Sequence, residues 1–183
     1  DDWRNWSFSK RPGGTPGGDP VLGVETPVAS PEVNLTSGIV LLDYGDLWKY
    51  NDQNKNLGTA WRRATYSDTS WKSGRGLLGL ENSALPDPGI KTEINKGSQL
   101  CYYFRKKFTY NGDPSDVTLT IDQIVDDGAV YYLNGTEVGR SRMPNETVSF
   151  TTRTSATVGD AAEEKGVVTI GPGNLKNGSN VLA

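Results

Sequence analysis

Asp126-Asp127-Gly128-Ala129-Val130-Tyr131-Tyr132-Leu133-Asn134-Gly135-Thr136-Glu137-Val138-Gly139-Arg140 is the stretch from which the rest of the chain is read. Asn134-Gly135 stands between two runs rich in β-branched and aromatic residues. A two-residue type I′ turn needs positive φ at both central positions, which Asn and Gly tolerate best, so the stretch predicts a tight β-hairpin. The turn length sets the register, with Leu133 opposite Thr136, Tyr132 opposite Glu137 and Tyr131 opposite Val138. Asp126-Asp127-Gly128, just ahead of it, offers two carboxylates beside a residue free in φ, the composition of a turn or a ligand loop.

Outward from the hairpin the same two-residue period recurs. In Gln99–Phe108, Leu100, Tyr102, Phe104 and Phe108 alternate with Tyr103, Arg105 and Lys107, predicting a strand with the first set buried and the second wet. Val117, Leu119 and Ile121 alternate with Thr118, Thr120 and Asp122 in the same way. Short apolar runs at Ile39–Leu42, Leu47–Tyr50, Val148–Thr152, Val167–Ile170 and Val181–Ala183 complete the strand candidates, and no segment carries helical spacing. With 22 Gly and 10 Pro supplying turns, the expected fold is an all-β, antiparallel β-sandwich.

Residues 1 to about 35 differ in character. Arg11-Pro12-Gly13-Gly14-Thr15-Pro16-Gly17-Gly18-Asp19-Pro20, followed by Pro27 and Pro31, predicts an extended linker. Trp3, Trp6 and Phe8 are expected to dock on a neighbouring surface. The absence of an initiator Met and the apolar strand starting at Asn180-Val181-Leu182-Ala183 give the expectation of a piece of a longer polypeptide.

Composition limits the chemistry. A net charge of −3 and a pI near 5.0 give no support to nucleic-acid binding. No apolar run is long enough to span a membrane. The 183 residues contain no His, which excludes serine–histidine triads and histidine-based metal sites within the chain. Cys101 is the single cysteine, so the chain has no internal disulfide; it reads as a small hydrophobe buried in a strand.

Trp48-Lys49-Tyr50, Gly58-Thr59-Ala60-Trp61-Arg62, Ser67-Asp68-Thr69-Ser70-Trp71 with Gly74, Leu78-Gly79, Tyr103-Phe104-Arg105-Lys106-Lys107-Phe108, the 126–140 hairpin and Asn180-Val181-Leu182-Ala183 follow one another in a characteristic order. In these motifs the chain from Asp43 to Ala183 resembles the galactose-binding-domain-like jelly roll, an accessory module of large secreted bacterial proteins. Asn5-Trp6 followed by Arg11 to Gly17 is similar to the close of a bacterial lamin-tail-like domain. The resemblance implies the tail of a lamin-tail-like domain at 1–18, a linker at 19–35 and a jelly-roll sandwich at 36–183. It further implies an extracellular or cell-surface location, a non-catalytic role, and a structural Ca²⁺ of the kind many members of this fold hold.

Each candidate group has two readings. Trp48, Trp61 and Trp71 either stack on sugar rings or form framework, and the framework reading is preferred, as it is for the paired tyrosines. Asp126 with Asp127, and Asp160 with Glu163 and Glu164, either give oxygen ligands to Ca²⁺ or serve as turn caps and solvated surface. Paired carboxylates also serve glycoside hydrolysis, but nothing in the spacing singles out such a pair. Arg105 and Lys107 are expected on a solvated face, with Lys106 protecting an edge or extending along it. Of five Asn-x-Ser/Thr sequons, that at Asn134 is accounted for by the turn. The expected function is a carbohydrate-binding or adhesion module contacting glycans or neighbouring extracellular domains. Asp126 and Asp127 are its site residues for metal or sugar, with Trp48 and Arg62 beside them. The alternatives are a ligand-free structural module of a surface layer, filament or adhesin, and the accessory domain of a secreted hydrolase whose catalytic part lies elsewhere.

Overall fold

The computed structural model of the chain describes residues 38–81 and 85–183, with Ile39–Ala183 forming one unit. The linker, the lamin-tail-like resemblance and the docking of Trp3, Trp6 and Phe8 fall outside the described residues. Among the described residues ten strands appear: β1 (Leu47–Asn51), β2 (Lys72–Arg75), β3 (Leu78–Gly79), β4 (Thr92–Glu93), β5 (Tyr103–Tyr110), β6 (Leu119–Ile124), β7 (Ala129–Leu133), β8 (Thr136–Ser141), β9 (Glu163–Ile170) and β10 (Gly178–Leu182). Helix among the described residues is limited to the 3₁₀ turn Ala60–Arg62, and no helix is long and apolar enough to cross a membrane. Six strands form one antiparallel sheet in the order β2-β1-β5-β10-β7-β8; β6 and β9 form an antiparallel pair, and β3 and β4 meet in a two-residue parallel bridge. The architecture is all-β and sandwich-like.

The hairpin turns as its sequence requires, with φ of 56° at Asn134 and 96° at Gly135. Leu133 faces Thr136 and Tyr132 faces Glu137, but Tyr131 faces Gly139 and not Val138, because a β-bulge intervenes. The extra residue, Val138, packs into the aliphatic core while Gly139 lies against Val168 of β9. A Cβ at Gly139 would stand 2.4 Å from Val168 Cγ1, so the bulge places the one residue that fits. Asn134 also joins the turn to β10: its Nδ2 donates to Asn180 Oδ1 (2.8 Å) and Asn174 O (3.0 Å), and its Oδ1 accepts from Val181 N (3.0 Å).

The six-stranded sheet is covered on both faces by different chemistry. On one face Phe108, Tyr131, Leu133 and Val138 pack against Leu119, Ile121, Val168 and Ile170 of the β6–β9 pair. On the other, Tyr103 and Tyr132 meet Trp61 and Trp71 from the long β1–β2 connection, with Trp61 set edge-on to Tyr103 (4.8 Å) and Tyr132 (5.7 Å). This corrects the strand expected at Gln99–Phe108: β5 begins at Tyr103 and is covered on both faces, Phe108 in the aliphatic core as expected and the supposedly wet Tyr103 and Arg105 on the aromatic side. Tyr103 and Arg105 are buried, at 7% and 1% exposure, whereas Leu100 is 39% exposed. Alternation assumes that charge faces water, and here a charge is internal because each guanidinium nitrogen has a partner.

Arg105 holds the β1–β2 connection down. Its Nε donates to Asp68 Oδ2 (2.9 Å), and its terminal nitrogens donate to the carbonyls of Trp61, Arg63 (3.1 Å) and Tyr66 (3.5 Å). Burial pushes the Asp68 carboxyl up, but the bond and charge of Arg105, helped by Lys107, outweigh it and hold the pKa below its ordinary value. Asp52, 1% exposed, plays a similar part at the exit of β1. Its Oδ2 accepts from Lys72 Nζ (2.9 Å) and Asn95 N (3.0 Å), and its carbonyl accepts from the amides of Asn95 and Gln99 (both 3.3 Å). Burial again opposes and Lys72 and Asn95 prevail, so this pKa is lowered too.

Two expected strands are not strands. Ile39 and Val40 are 82% and 76% exposed and outside any sheet. Val148–Thr152 closes a local turn in which Thr152 Oγ1 accepts from Ser149 N (2.8 Å), side-chain hydroxyls satisfying the backbone in place of a partner strand. In turn, β9 starts four residues before Val167, and the expected strand at Val181–Ala183 is the central β10, with Ala183 and Tyr132 exchanging two backbone bonds of 2.9 Å. Cys101 lies just ahead of β5, half-buried beside the aromatic core, and burial raises its thiol pKa.

Candidate functional site

The β6–β7 turn, Val125–Gly128, is built around a cation from the next hairpin. Arg142 Nε donates to Asp127 O, Nη2 to Val125 O (2.9 Å), and Nη1 to both oxygens of Glu164 (2.7 and 2.8 Å). Asp127 and Arg142 both sit at positive φ, 59° and 52°, an unfavourable region for side chains of this size that the mutual bonding holds in place. Gly128 is required by space: a Cβ there would lie 2.8 Å from Ser141 O and 2.9 Å from Thr154 Cγ2. Below the turn, the buried Gln123 donates to Ser141 Oγ (2.8 Å) and Glu164 Oε2 and accepts from the Tyr131 hydroxyl (2.5 Å). Arg142 and Gln123 together hold the Glu164 pKa down.

Over this turn rises the long β8–β9 connection, which carries a shallow polar cleft of about 400 Å³ lined by Pro144, Glu146, Thr147 and residues Thr151–Ser155. Arg140 braces its floor, ion-paired with Glu137 while Nη1 donates to Pro144 O and Glu146 O (2.7 Å). Ser155 N donates to Arg142 O (2.8 Å) and Val158 N to Asp127 Oδ1 (3.1 Å), so the cleft and the acidic turn share a wall. Hydroxyls, one guanidinium and one carboxylate in a concave surface suit a polyhydroxylated ligand.

The two acidic residues of the turn differ. Asp127 is engaged by the Val158 amide. Asp126 is exposed, and desolvation, with the nearby charges of Asp127 and Glu81, raises its pKa against the opposing pull of the Asp127 amide and Arg142. Arg142 already occupies the carbonyls of Val125 and Asp127, so within the turn it is the carboxylates of Asp126 and Asp127 that a cation would meet. Among the described residues no three acidic or cysteine side chains gather in a metal-binding arrangement. The second acidic group divides along β9: Glu163 accepts from Tyr44 Oη (3.5 Å) and pairs with Lys165 (3.6 Å), whereas Glu164 points to Arg142. Asp160 is exposed ahead of the strand.

Trp48, Arg62 and the acidic turn are not brought together. Lys49 is paired with Arg105, so Trp48, its neighbour on β1, belongs to the opposite sheet face from Arg105 and the aromatic core, where Arg62 lies. Arg62 stacks on Tyr132, in the half of β7 away from the acidic turn. Trp61 and Trp71 are buried framework, with Trp61 Nε1 donating to Gly58 O (3.2 Å), so the three tryptophans form no common platform. Nothing in the sequence marks Arg142, Gln123 or Glu164 as partners of the acidic turn; the one visible sign is the glycine at 128.

No protein family, curated protein or solved structure matches this chain.

Proposed function

We propose that the chain is a non-catalytic carbohydrate-binding or adhesion module of a secreted or cell-surface protein, built as a jelly roll of the galactose-binding-like kind. The observation that carries this reading is the hydroxyl-lined cleft over the Asp126–Gly128 turn. Thr147, Thr152 and Thr154 offer hydroxyls, and Arg153 and Glu146 offer charged hydrogen-bonding groups, a set suited to sugar hydroxyls on a braced loop. Ca²⁺ enters the reading through Asp126, since a cation beside it would offset both the desolvation and the nearby negative charge of Asp127 that raise its pKa. The test is binding to a glycan panel with and without a chelator, for the native chain and for Arg153→Gln and Thr152→Ala. Binding weakened by both substitutions at unchanged thermal midpoint supports the reading; absence of glycan binding by a cooperatively folded chain refutes it.

A structural module without a small ligand is the second reading. The burial of Trp61 and Trp71, which leaves neither ring free to stack on a sugar, favours it. Contacts with neighbouring extracellular domains would then be the module's role, read out as co-elution with such a domain and no glycan binding.

A further inference from the structure

Arg62 differs from the other arginines withdrawn from solvent. Arg105, Arg140 and Arg142 each rest on a carboxylate, of Asp68, Glu137 and Glu164 respectively. Arg62 is half-buried, and among the described residues no carboxylate pairs with it. Its Nε is enclosed and has no hydrogen-bond partner. What fixes the group is aromatic: Cζ stands 4.2 Å from the centroid of the Tyr132 ring and 6.0 Å from that of Trp61.

Both rings are themselves buried. Tyr132 is 3% exposed and Trp61 8%, and they meet edge-on. The backbone under Arg62 is fixed as well, since Arg105 binds the carbonyls of Trp61 and Arg63, and the hairpin tip abuts Arg63, where a Cβ on Gly135 would come within 3.5 Å of Arg63 Cα. A guanidinium is a planar fork whose paired N–H groups match a carboxylate. Stacking removes much of the rotational freedom that a free arginine loses on binding, so this fork is preorganised. A partly desolvated cation without a counter-ion is also an unfavourable arrangement, which an arriving anion relieves.

We propose that Arg62, stacked on Tyr132, anchors a binding site for a planar carboxylate carried by a small ligand, the group presented by a uronic-acid sugar. The site is built on Arg62 and Tyr132, neither of which lines the cleft, and does not depend on the cleft's function. The carboxylate takes the solvent side of the guanidinium end-on, and Tyr132 contributes by holding the plane.

The experiment follows the arginine guanidinium resonances by NMR during titration with sodium glucuronate, sodium glutarate and the neutral methyl glucoside. Glucuronate and glutarate are expected to shift the Arg62 resonances saturably in the millimolar range, and methyl glucoside to leave them in place. Arg62→Lys, which keeps the charge and loses the fork, is expected to weaken glucuronate binding at least fivefold with an unchanged thermal midpoint; Arg153→Gln in the cleft is expected to leave it unaltered. Equal shifts with methyl glucoside, undiminished glucuronate binding by Arg62→Lys, or loss of binding in Arg153→Gln would each overturn the assignment. Neutral-glycan binding at the cleft is read separately, so either site can fail without the other.

Discussion

Replacing Arg105 with Met tests what holds the β1–β2 connection on the sheet. Arg105 is 1% exposed, and the substitution removes the donors for Asp68 and for the carbonyls of Trp61, Arg63 and Tyr66 at once. Breaking a buried ion pair by deleting one partner costs about 3–5 kcal/mol. Lys107, 3.9 Å from Asp68 and 57% exposed, recovers little of the lost pairing. The carbonyls left without donors place Arg105→Met toward the upper end, about 4 kcal/mol, a large share of the roughly 5–15 kcal/mol that stabilises a domain. Asp68→Asn keeps an acceptor oxygen and the carbonyl bonds, so it should lose less, about 2 kcal/mol. Urea titration followed by tryptophan fluorescence reads both. At a slope of about 2 kcal/mol per molar urea, Arg105→Met lowers the midpoint by about 2 M. Arg105→Met with Asp68→Leu should be milder than the sum of the two single changes, because the buried charge has gone. A loss below about 1 kcal/mol in Arg105→Met would show that the aromatic contacts hold the connection without the arginine.

Three further outcomes follow from other parts of the fold. The carboxyls of Asp52 and Asp68 have folded pKa values below the ordinary 3.8, so their stabilisation is complete above that value and is lost as pH falls through the lowered folded values. Thermal midpoints from pH 6 downward should therefore fall most steeply under acid conditions, and less so in Asp52→Asn, which starts from a lower midpoint. Gly139→Ala places a Cβ 2.4 Å from Val168 Cγ1 and should lose about 1–3 kcal/mol, partly restored by Val168→Ala and measurable by urea unfolding. Asn134→Ala puts alanine at φ 56° and leaves Asn180 Oδ1 and Val181 N short of a partner; about 2–4 kcal/mol should be lost in calorimetry, with Asn134→Gly less severe because glycine tolerates the turn.

Local signals in the sequence agree with the structure where geometry is decided locally. Asn134-Gly135 carries its own backbone requirement, and Leu119 and Ile121 alternate with polar residues along a strand that has one wet side. Local pattern misleads where a distant partner changes what a residue type means. Arg105 is charged and internal because Asp68, thirty-seven residues earlier, returns to meet it. Val148–Thr152 has strand composition, yet Ser149 and Thr152 satisfy the backbone locally. The candidate site shows the same limit. Asp126-Asp127-Gly128 is visible as a turn, but its partners come from β8, β9 and the connection between them, which no periodicity places beside it. Trp48 and Arg62 lie close to one another in sequence and fall on opposite faces of the sheet.

A sheet with an aromatic core on one face and an aliphatic core on the other constrains how such a chain can change in length. In β5 and β7 successive residues serve alternate cores, so gain or loss of one residue would send Tyr103 or Tyr132 into the aliphatic side and Phe108 or Leu133 into the aromatic side. Lineages carrying this architecture should therefore admit insertions and deletions in the β8–β9 connection and exclude them from the inner strands. The bulge at Val138 is the exception, an added residue absorbed at the sheet's margin. Variation in length, and with it the scope for acquiring new specificities, would accumulate around the cleft while the two-sided sheet keeps its count.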